Sequence, residues 1–93
     1  MEYDFKDPEN TVCLSCKHVL EDKRTVLYVS HDDDDSSWQF LCGDENHQDD
    51  DARMVAMSQV VVLDESLNDL SEMPEGYCAE REAKGSDWTP YKL

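Results

Sequence analysis

Asp35-Ser36-Ser37-Trp38-Gln39-Phe40-Leu41-Cys42-Gly43-Asp44-Glu45 is the stretch whose reading decides the fold. Extended, it places Trp38, Phe40 and Cys42 on one face and Gln39 and Leu41 on the other, because strand side chains alternate. The first face is a core face that ends in a thiol. Gly43 stops the strand, since glycine turns without steric cost. The acidic turn that follows carries His47 back toward Cys42.

Working outward, Thr25-Val26-Leu27-Tyr28-Val29-Ser30-His31 is β-branched and aromatic and apolar on both faces, so it reads as a central strand. Only the acidic connection from His31 to Ser37 separates the two strands, which predicts an antiparallel hairpin. Further upstream, Thr11 to Leu14 is a short β-prone run, and Lys17 to Arg24 is a loose helical turn or a hairpin connection. Residues 1–10 read as a polar amino-terminal arm. Downstream, Arg53 to Met57 fits both the strand and the helix period. Ser58 can cap a helical stretch from Gln59 to Leu63, and Asp64 a second one from Glu65 to Ser71. Leu63, Leu67 and Leu70 then share a face at helical spacing. Pro74 and Gly76 end this segment, and Tyr77 to Glu82 reads as the last strand. Trp88 and Tyr91 lie in a tail, where terminal aromatics either fold back over a small sheet or anchor a partner. The expectation is a single α+β domain over residues 11–93, with a mostly antiparallel sheet of four to five strands and the helical segment from Ser58 to Ser71 on one face.

The charge is one-sided: 23 Asp and Glu against 8 Lys and Arg in 93 residues give a formal net charge of -15. Such a surface repels a phosphate backbone, which argues against nucleic acid as the partner, and steers the chain toward a basic protein. No secretory signal or membrane-length apolar run is visible, so a cytoplasmic setting is expected, with the four cysteines reduced, metal-bound or buried.

Two groups of residues invite a chemical role. Cys13, Cys16, Cys42 and His47 offer the soft and borderline ligands of a structural zinc site, with Cys78 and His18 in reserve. Against this stands the reading of the same cysteines as small buried hydrophobes. Asp32, Asp33, Asp34 and Asp35, with Asp49, Asp50 and Asp51, form two acidic runs. These lack the glycine-centred, glutamate-closed spacing of a calcium loop, and as solvated loops they would present carboxylates to a basic partner. Cys42 and His47 are the nearest approach to a nucleophile and base, but no orienting third group accompanies them, and the residues predict no enzyme.

Ser37, Trp38, Phe40, Gly43, Asp44 and Glu45 match the pattern of a bacterial domain family of unknown function, classed on genome context among the predicted immunity proteins of polymorphic toxin systems. The resemblance extends over residues 11–83. Met54 to Met57 is similar to the strand this family places next, Val60 to Leu67 resembles its helical stretch, and Tyr77 to Arg81 resembles its closing strand. Glu65 stands where the family favours proline, and the Cys13-x-x-Cys16 pair lies outside the family pattern, so zinc would mark a subgroup. The resemblance implies an α+β domain that works as a toxin-neutralising or regulatory binding partner.

Overall fold

The computed structural model describes residues 3–34, 36–43 and 52–93. Among these, the chain runs through β1 (Val12–Cys16), α1 (Lys17–Leu20), β2 (Tyr28–His31), β3 (Trp38–Leu41), β4 (Ala52–Ala56) and α2 (Met57–Val61). A 3-10 helix (Glu65–Leu70), β5 (Tyr77–Glu80) and β6 (Thr89–Lys92) follow. The strands form one sheet in the order β4-β1-β3-β2-β5-β6. All neighbours are antiparallel except β1 and β3, which run parallel with Leu14 opposite Gln39. The α+β class is as expected, with six strands rather than four or five. The additional one is β6, since the tail carrying Trp88 and Tyr91 pairs along β5, setting Tyr91 opposite Cys78.

Alternation in β3 is as the sequence predicts: Trp38 and Phe40 are buried, Gln39 and Leu41 half-exposed. Its hairpin with β2 forms in the register Val29–Phe40 and His31–Trp38. His31 does more than open a loop. Its ring stacks on Trp38 at 3.9 Å and 14°, and its Nδ1 lies 2.9 Å from the Met73 carbonyl. β2 is shorter than expected and lies between β3 and β5, the inner position its two apolar faces call for. Gly43 adopts φ +79°, the left-handed turn that ends β3 without Cβ strain.

The helical layer begins two residues earlier than the Ser58 cap predicts. Ala56 is the N-cap of α2, and its amide donates to Gln59 Oε1 at 2.9 Å, so a glutamine reaching back supplies the cap that a serine was expected to provide. Asp64 caps the 3-10 helix as expected, accepting from the Ser66 amide at 3.1 Å. Val60, Val61, Leu67 and Leu70 are buried, whereas Leu63 is exposed. Leu63 falls in the turn between the two helices, so the single helical face expected for Leu63, Leu67 and Leu70 does not extend across it. From the amino-terminal residues Phe5 reaches the core, meeting Trp38 edge-on at 5.0 Å and Phe40 at 6.0 Å. No helix among the described residues is long and apolar enough to cross a membrane.

Candidate functional site

β1 and β3 are parallel neighbours, so their carboxyl ends lie at the same edge of the sheet. Cys16 closes β1 in an extended conformation, and the chain turns at once into α1, which carries His18. Cys42 follows the last residue of β3. The ligand atoms of Cys16, His18 and Cys42 all lie within 4.8 Å of one another, and Cys42 Sγ is 3.7 Å from His18 Nδ1. Both thiols are buried and the imidazole is half-buried.

Two members of the expected zinc set, Cys16 and Cys42, are brought together, and His18, held in reserve, joins them. Cys13 stands outside the group. A C-x-x-C pair chelates from a turn, but here it lies within β1, where residues three apart face opposite sides of the strand. Burial pushes the Cys13 thiol up to about 12, so it stays protonated at neutral pH as a core side chain. Cys78, the other reserve ligand, is buried in β5. His47 lies outside the described residues, as do Asp35, Asp49, Asp50 and Asp51.

The described part of the first acidic run divides by role. Asp32 is half-buried and faces its own fold, accepting from Gln39 Nε2 at 2.9 Å. Asp33 and Asp34 are exposed. Asp33 lies against the turn at Gly76, and Ser36 Oγ donates to the exposed Glu75 at 2.7 Å, so Glu75 adds a carboxylate beside the run. Cys42 and His18 have the proximity of a thiol and base, but Cys42 is 6% exposed. A substrate would have to open the core to reach its sulfur.

A second buried polar group escaped the sequence reading. Arg81, just past β5, donates to Asp64 at 2.6 Å, to Ser66 Oγ at 2.9 Å and to the Val26 carbonyl at 3.1 Å, and lies 4.2 Å from the centre of the Trp88 ring. Burial by itself raises the Asp64 carboxyl, yet hydrogen bonds from Ser66 and Arg81 outweigh it and hold the group below its usual value. Capping motifs signalled Asp64, but no local pattern pairs it with a residue 17 positions on.

The Immunity protein Imm33 domain matches residues 13–92. The chain belongs to this family. The match reaches all six described strands, including β6, which the resemblance over residues 11–83 left out. No curated protein and no solved structure matches the chain. Membership in the Imm33 family supports an immunity-type, non-catalytic role and a toxin protein as the kind of partner. It is consistent with a site whose thiols are enclosed.

Proposed function

We propose that this Imm33-family protein neutralises a basic protein toxin in the cytoplasm by binding it, without turnover, through the acidic loops at His31 to Ser37 and His47 to Asp51. The observation that carries this reading is the family match over residues 13–92. Charge supplies the direction. At a formal net charge of -15, long-range attraction to a cationic surface accelerates encounter, and exposed carboxylates on loops fix the approach. Asp33, Asp34 and Glu75 are exposed and lie together at one end of the β2–β3 hairpin, Glu75 accepting from Ser36.

The test is association with an inactivated toxin, taken from the genes that adjoin this one, measured by surface plasmon resonance over a range of salt. Changing Asp33, Asp34, Asp49 and Asp50 together to Asn is expected to lower the association rate at low salt by about tenfold and to flatten its salt dependence. An on-rate unchanged by the four substitutions would place the interface elsewhere. Failure of the unaltered protein to bind the neighbouring toxin would remove the immunity reading for that pair.

A further inference from the structure

The Cys16, His18 and Cys42 cluster is built from donor atoms that share one preference. Thiolate and imidazole are the ligands zinc selects, and among the described residues no carboxylate, the ligand of calcium and magnesium, joins the group. The spacing fits as well. Tetrahedral zinc, with bonds of about 2.3 Å to sulfur and 2.0–2.1 Å to nitrogen, holds its ligand atoms about 3.5–3.8 Å apart. Cys42 Sγ and His18 Nδ1 are already 3.7 Å apart. The widest pair in the group is within 4.8 Å, so closing on a metal needs a movement of about 1 Å.

We propose that Cys16, His18 and Cys42 bind one zinc ion as two thiolates and one imidazole. Two separate pieces of backbone supply the ligands: the junction of β1 with α1, which carries Cys16 and His18, and the residue after β3. Binding therefore clamps the carboxyl ends of the parallel pair β1 and β3, whose ladder has no hairpin turn to hold it in register. On coordination each thiol gives its proton to solvent, so affinity falls as pH is lowered. Cys13 and Cys78 take no part, which separates this site from one built on the C-x-x-C pair.

The full chain, reduced and freed of metal, is titrated with cobalt(II) and then with zinc. The expected result is one equivalent of cobalt with the visible bands of a tetrahedral thiolate site, displaced by zinc, and a melting temperature that rises with zinc concentration. Cys16→Ser, Cys42→Ser and His18→Ala are each expected to weaken binding at least tenfold, while Cys13→Ser and Cys78→Ser retain it. Because a core substitution can itself disturb folding, X-ray absorption of the zinc-loaded wild type gives an independent reading. Two sulfur ligands with the balance nitrogen or oxygen supports the proposal. Three or four sulfurs, or none, overturns it, as does a wild type that takes up no cobalt. Loss of metal in Cys13→Ser with retention in Cys16→Ser would equally overturn it.

Discussion

Two polar clusters sit in the interior of this small domain, and they are built on opposite principles. Around Arg81 a cation meets a carboxylate, a hydroxyl, a backbone carbonyl and an aromatic face, so the charges and hydrogen bonds close on one another. Around Cys42 the three converging side chains are all potential donors of a lone pair to a metal. The first cluster pairs its cation with a carboxylate and joins β5, the 3-10 helix and the approach to β2. The second gathers groups of like chemistry, an arrangement that gains most from a cation at its centre.

The comparison can be broken most directly at Arg81. Replacing it with Ala leaves the Asp64 carboxylate buried without its partner and should cost about 3–5 kcal/mol, read as a shift in the urea midpoint. Replacing Arg81 and Asp64 together with Met and Leu should restore much of that loss, because an unpaired buried charge is costlier than an apolar pair of similar volume. If the double variant is no more stable than Arg81→Ala, the cluster is not the self-contained unit described here. The aromatic core gives a loss of similar size. Phe5→Ala removes the ring packed edge-on against Trp38 and Phe40 and should destabilise by about 3 kcal/mol. An effect below about 1 kcal/mol would show that the amino-terminal residues are only loosely seated.

Titration sharpens the contrast. The Asp64 carboxyl is held below its usual value of 3.8, so its ionised form stabilises the fold. That contribution is fully present above the unfolded value and fades as pH falls through the lower folded value. Asp64→Asn should therefore flatten the acid limb of the stability curve below about pH 4, with little change in slope near neutrality. Cys13, raised to about 12, should resist iodoacetamide in the native protein at pH 8 and react only on unfolding. Native labelling of Cys13 would contradict its assignment as a core thiol. The smallest effect is expected at Trp88, whose buried indole N–H has no hydrogen-bond partner among the described residues. Trp88→Phe should cost about 1 kcal/mol or less by thermal unfolding, since no hydrogen bond is lost.

Much of the fold was legible in the chain because local rules govern it. Alternation in Trp38–Leu41 set the core face, the short acidic connection made the hairpin, and Asp64 marked a helix start. The expected boundaries slipped where tertiary pairing overrode composition. Ala56 replaced Ser58 as the cap of α2, and Thr89–Lys92 became a strand by hydrogen-bonding to β5, although Pro90 and the surrounding polar residues gave no strand signal. An edge strand tolerates a proline because one side of its ladder is open.

The candidate site followed the same division. Residue types alone named Cys13, Cys16, Cys42 and His47 as candidate ligands and kept His18 and Cys78 in reserve, because thiolate and imidazole chemistry is a property of the side chain. Which of them meet was decided by the parallel alignment of β1 with β3, a contact between residues about 25 positions apart that no local spacing encodes. That alignment set Cys42 beside His18, and the extended backbone of β1 turned Cys13 away from Cys16. The pairing of Arg81 with Asp64 has the same origin. Sequence fixes what each group can do; only the closing of the sheet sets which groups are near enough to do it together.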